Sequence, residues 1–207
     1  MLDYLLNAFS GPGEAFMWAI TAVMALAIAI LLERSFLFAV RWRASFAEAH
    51  SLIQSGDLSR AVNVAGPVAG RVLERGQKES SAELAWDAMS AAAVRAEGEV
   101  RKRIGLLSAA GNVATMLGLL GTVYGLTVAF SSLGEAGQSA TDQLSQGISM
   151  AMATTAFGLC VAIPCVAAHA WLESRAEALL LQTESLASEM HLAKKRSSQA
   201  DTPAVKT

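Results

Sequence analysis

Charge is what this chain lacks most, and it lacks it in blocks. No Asp, Glu, Lys or Arg occurs in 104–133 or in 143–172, two stretches of thirty residues each. Roughly 20 helical residues cross a hydrocarbon core, so either stretch is longer than one crossing needs. Basic residues are also missing from the start of the chain, the first being Arg34. A secretory signal opens with positive charge, so the first apolar run is not expected to be one. Cysteine is scarce: Cys160 and Cys165 stand five apart in one apolar run. On a helix that spacing projects them to different sides, which excludes a disulfide between them and leaves both as small buried apolar residues. No zinc-type spacing occurs. No nucleophile stands beside a base, and no phosphate-binding loop or metal cluster can be traced, so neither an enzyme nor a cofactor is expected. Strand-like alternation, internal repeats and low-complexity tracts are likewise missing.

What is present is oil and small residues. The 207 residues are 53% hydrophobic and 16% charged, with mean hydropathy +0.40. That balance suits a small integral membrane protein with a modest water-soluble part. A third apolar run, 15–32, can extend to 40 if Glu33 and Arg34 pair or reach the interface. The expected fold is all-α and polytopic, with three transmembrane helices, two of them extending beyond the membrane, and a small helical domain.

Charge sets the expected orientation. All 16 Lys and Arg lie in 33–103 or 173–207. The segments 1–14 and 134–142 hold none, though they carry Asp3, Glu14, Glu135 and Asp142. Positive residues stay inside, so the N-terminus is expected outside and the C-terminus inside. The segments follow: outer N-terminus 1–14, first span 15–40, internal helical domain 41–103, second span 104–133, outer loop 134–142, third span 143–172, internal helix and tail 173–207. A short interfacial helix is expected over 2–9, ended by Gly11-Pro12-Gly13. Within the internal domain, helical pieces are expected over 44–54, over 57–64 with Asp57 as N-cap, and over 68–76. From 81 a single helix of roughly 50 residues should run straight into the second span. The third span should continue through 173–191, packing with Leu179, Leu180, Leu186 and Met190, before a disordered polar tail from Lys194.

At helical spacing, Gly111, Thr115, Gly118, Thr122, Gly125 and Ala129 form one narrow stripe in the second span. Gly147, Ala151, Thr154, Gly158, Ala162 and Cys165 do the same in the third, with Thr155 at the edge. Small residues so arranged let helices pack closely, and Gly121, beside the first stripe, belongs to the same packing set. Pro164 removes a backbone bond within its helix, which predicts a bend. The threonines have two readings. Their hydroxyls can bond their own helix backbone and carry no function. Alternatively Thr122 and Thr155, with neighbouring Thr154, line a polar path, since a hydroxyl donates and accepts without bearing charge.

The sequence Leu-Leu-Gly-Thr-Val-Tyr-Gly at 119–125, followed by Gly-Ile-Ser-Met-Ala-Met-Ala-Thr-Thr-Ala-Phe-Gly-Leu-Cys-Val-Ala-Ile-Pro at 147–164, resembles the MotA/TolQ/ExbB proton channel family. Three spans resemble its ExbB/TolQ branch, the MotA branch having four. The resemblance implies a pentamer in the bacterial inner membrane around the transmembrane helices of two ExbD/TolR-type partners, each carrying a transmembrane Asp. Proton flow would then drive force coupled to the outer membrane, through a TonB-like protein in some systems. The matching pore threonines are Thr122 and Thr155. Lipid is the remaining partner, and nucleic acid is not expected. Where the family often has Glu, this chain has Met150. His169 then becomes the one readily titratable side chain in these runs, and its place near the inner end reads as a snorkelling interfacial residue. Tyr124 reads as packing. Two other functions compete with the channel: a membrane scaffold that conducts nothing, and a solute transporter. The few spans and the lack of a charged midplane site argue against the transporter.

Overall fold

The computed structural model describes residues 14–41, 45–131 and 138–200, and every regular element among them is helical. In chain order these are α1 (Glu14–Phe36), a π-helical turn Leu37–Arg41, α2 (Phe46–Gln54), α3 (Leu58–Val64), α4 (Gly66–Lys78), α5 (Ala82–Arg101), α6 (Ile104–Ser131) and α7 (Gln138–Ala200). Three stretches are long and apolar enough to cross a membrane: Glu14–Ala39, Ala82–Ser131 and Thr141–Gln199. The interfacial helix expected over 2–9 lies outside the described residues, as do 134–137 of the expected outer loop. Residues 138–142 of that loop are already helical, opening α7.

The chain divides into two compact units, Met1–Glu33 with Arg103–Trp171, and Arg34–Lys102 with Leu172–Thr207. In the first unit many small residues are inside and many large ones outside. Ala110, Ala114, Ala129, Ala151, Ala153 and Ala162 are buried, joined by Met17 and Ile20 of α1. Met116, Leu119, Val123, Met152 and Ile163 are exposed. A water-soluble core has the opposite arrangement. Helices that meet in lipid gain nothing by hiding Leu or Val, and gain contact by bringing backbones together.

The expected single helix from 81 into the second span is interrupted. At Lys102 the backbone turns to φ −52, ψ 130, and Arg103 takes φ 65, a left-handed conformation that crowds its Cβ. The Arg103 guanidinium lies on both carboxylate oxygens of Glu33, at 2.9 and 2.7 Å. Glu33 therefore pairs with Arg103 rather than with Arg34, a partner invisible to local spacing.

In the second unit, Asp57 caps α3 by accepting from the Arg60 N–H at 3.2 Å, as its position before the run predicts. Ser81 caps α5 in the same way through the Leu84 N–H. Ile53, Val68, Val72, Leu73, Met89, Leu186 and Met190 make the core. The tail expected from Lys194 is instead helix as far as Ala200. The Lys194 ammonium donates to the carbonyls of Gly76, at 2.7 Å, and Glu79. Carbonyls at the end of α4 have no partner within their own helix, and a cation there satisfies them. That contact orders a segment whose composition alone reads as disordered.

Candidate functional site

The candidate site is the seam between α6 and α7 inside the first unit. On α7 all six members of the expected stripe (Gly147, Ala151, Thr154, Gly158, Ala162, Cys165) are buried. On α6 the buried line is Gly111, Ala114, Gly118, Gly121, Gly125 and Ala129, so Ala114 and Gly121 take the places expected of Thr115 and Thr122. Steps of three and four residues from Gly118 straddle the same face. Spacing cannot choose between them. Bulk does: glycine goes to the contact and threonine to its flank.

The glycines show how close the contact is. A Cβ on Gly118 would lie 3.1 Å from the Thr154 carbonyl oxygen, and one on Gly125 would lie 2.8 Å from that of Gly147. On the facing helix, a Cβ on Gly158 would meet the Ala114 carbonyl at 2.7 Å, and one on Gly147 the Ala129 Cβ at 2.6 Å. Gly111 has the Ala162 carbonyl at 3.3 Å from such a position. Residue numbers rise along one helix as they fall along the other, so the two run antiparallel with backbones in contact. All six expected packing glycines lie in this seam.

The hydroxyls divide into three kinds. Thr154 is 0% exposed, covers Gly121 and bonds Met150 O at 3.1 Å and Ala151 O at 3.0 Å on its own helix. It was expected in the polar path; in this fold it fills the seam. Thr155, half-buried at the edge, donates across the seam to Gly118 O at 3.1 Å. Thr122 donates to Leu119 O on its own helix. Its backbone N–H points at the same Gly118 carbonyl by the i to i−4 rule of the α-helix. The two hydroxyls thus sit on the carbonyls of adjacent residues, Gly118 and Leu119. Each spends its proton on a backbone oxygen and keeps its lone pairs as acceptors.

The remaining residues fall as follows. Pro164 lies inside α7, which continues on both sides of it. Cys165 is buried but Cys160 is exposed, so only one of them is the small core residue that composition suggests. The Tyr124 ring packs on Phe16, with centroids 5.5 Å apart. Met150 is buried at 8% exposure. The His169 ring is half-buried and its Nδ1 lies 3.1 Å from Ile104 O on α6. A carbonyl can only accept, so Nδ1 carries the hydrogen. Extending the α7 stripe by one four-residue step from Cys165 lands on His169, a signal available in the sequence.

Comparison with known proteins gives this seam a lineage. Residues 61–185 match the family model described as the MotA/TolQ/ExbB proton channel family. The biopolymer transport protein ExbB of Aquifex aeolicus is 34% identical over 90 residues, covering 44% of this chain and 61% of that protein. The Tol-Pal system protein TolQ of Haemophilus influenzae is 36% identical over 92 residues, covering 44% of this chain and 40% of that protein. These matches span less than two thirds of either relative. Among solved structures, C. jejuni MotAB is similar in fold with a TM-score of 0.59 and 15% identity, covering 100% of this chain and 84% of that one.

Proposed function

The chain belongs to the MotA/TolQ/ExbB proton channel family, and from that premise we propose that it is a proton-conducting stator subunit of the bacterial inner membrane. Its N-terminus lies outside and its C-terminus inside, and copies of the chain, five by family resemblance, surround a single-span ExbD/TolR-type partner. The force produced energises either biopolymer transport through a TonB-like protein or a Tol-type envelope system.

The observation that carries this reading is the pair of hydroxyls on neighbouring carbonyls of α6, Thr155 on Gly118 O across the seam and Thr122 on Leu119 O. A pure packing seam needs no hydroxyl at its flank. Two hydroxyls with free lone pairs can accept a hydrogen bond from water or from a protonated carboxyl group. Transfer driven by voltage also needs a group that changes protonation inside the low-dielectric region, where a bare charge is costly. Residues 104–133 and 143–172 contain no carboxylate. The partner's transmembrane Asp supplies it, flanked by the two threonines.

The test is proton flux in liposomes. The purified chain alone should be nearly silent, the chain with its partner should conduct, and changing the partner Asp to Asn should abolish flux while the complex persists. Robust flux from the chain alone would reject this division of labour. A second reading, the non-conducting scaffold, is favoured by buried Met150 in place of the family's Glu. It predicts a stable complex with no flux under any of these conditions.

A further inference from the structure

We infer that His169 is a proton relay at the inner end of the path, a role that rests on the channel reading above. His169 lies in a thirty-residue run without Asp, Glu, Lys or Arg, three residues from its end. Its Nδ1 hydrogen is held by the Ile104 carbonyl at 3.1 Å. That bond fixes the neutral ring as the Nδ1–H tautomer, with the lone pair on Nε2. Here the ring is docked by one nitrogen and available by the other.

Arg103, which precedes Ile104 in the chain, is engaged by Glu33. On α6 the run 104–133 offers no charged side chain. On α7, Glu173 stands one turn farther on, and its carboxylate is engaged by Arg101. At 1.5 Å rise and 3.6 residues per turn, His169 lies about 21 Å along α7 from Thr155 and roughly 40° round from it. That places both on one side of the helix, at opposite ends of the proposed path. Water must carry the proton over this distance, as it is too long for direct transfer.

The step balances without any further reactant. Nε2 accepts a proton passed along the pore water from the partner's carboxyl group, which is left as carboxylate, and the ring becomes imidazolium, with Nδ1–H still on Ile104 O. Nε2–H then gives that proton to water on the inner side, restoring the starting tautomer with no ring flip. Such a relay carries protons and has no means of carrying sodium.

His169→Asn separates relay from packing, because the Asn amide can still donate to Ile104 O but offers no titrating nitrogen. With the partner present, its flux should fall on the order of a hundredfold, the low side of what a positioned proton-transfer group contributes. Oligomer mass should be unchanged. His169→Ala should be equally slow and should recover flux with added imidazole. Wild-type flux in His169→Asn, or no recovery of His169→Ala by imidazole, overturns the relay. Thr155→Val measured in parallel keeps the two readings apart. If Thr155→Val blocks flux and His169→Asn does not, the relay falls and the channel stands; if the wild-type complex is silent, both fall.

Discussion

Thr154 fills the space that a side chain on Gly121 would need: a Cβ there would lie 2.5 Å from Thr154 Oγ1 and 2.7 Å from its Cβ. The seam between α6 and α7 is built from such pairs, in which one helix lacks volume where the other supplies it. Gly121→Ala, Gly147→Ala and Gly158→Ala should each destabilise by about 1–3 kcal/mol, as overpacked contacts do. Gly98 has nothing within 4 Å of such a Cβ, so Gly98→Ala should be neutral or stabilise by up to about 1 kcal/mol. Thermal melts in detergent with native mass spectrometry would check this. Equal behaviour of the four variants would refute the seam.

The two threonines should part company on stability and agree on flux. Thr155→Val loses a bond across the seam, worth about 1 kcal/mol. Thr122→Val loses only a bond to its own helix and should melt like the wild type. Both should lose proton flux in liposomes with the partner present. A conducting double variant eliminates the hydroxyl path.

Met150→Glu brings the chain nearer the family pattern but puts a carboxyl group where the side chain is buried. Burial favours the neutral acid, and an unpaired polar group there costs about 1–3 kcal/mol. The expected result is a lower melting temperature and no flux without the partner. Flux from Met150→Glu alone would show that this position can replace the Asp proposed for the partner.

Lys194→Ala should cost about 1–2 kcal/mol, because the last carbonyls of α4 lose a charged donor. Burial pulls the Lys194 ammonium below its ordinary 10.5, with Glu79 pulling the other way. A lysine lowered on folding releases its proton before the unfolded chain does. Between its folded value and 10.5 the unfolded state therefore holds more protons, and stability rises with pH. The neutral amine still donates two hydrogens, so the cap survives. Melts across this alkaline window should show a small rise in the wild type that Lys194→Ala lacks.

Orientation is checked by labelling. In a background of Cys160→Ser and Cys165→Ala, cysteine at Ser10 or Gln138 should react with an impermeant thiol reagent in intact cells. Cysteine at Ser80 should not. Labelling at position 80 alone would invert the orientation.

The helical class, the apolar spans and the α7 face of the seam were legible from residue order alone. Uncharged length and the three-and-four spacing of small residues are local properties, and backbone hydrogen bonding in an apolar run leaves little but helix. The Asp57 cap was legible for the same reason, since donor and acceptor lie three residues apart. Which of two adjacent residues enters the seam was settled by the packing of the folded chain. Gly121 and Thr122 project within the same arc, and the shape of the facing helix makes the choice. That packing also decided that Arg103 pairs with Glu33, that Lys194 is ordered by Gly76 and Glu79, and that His169 docks on Ile104. Each of these contacts joins residues more than sixty positions apart, where spacing carries no information and only packing brings donor to acceptor.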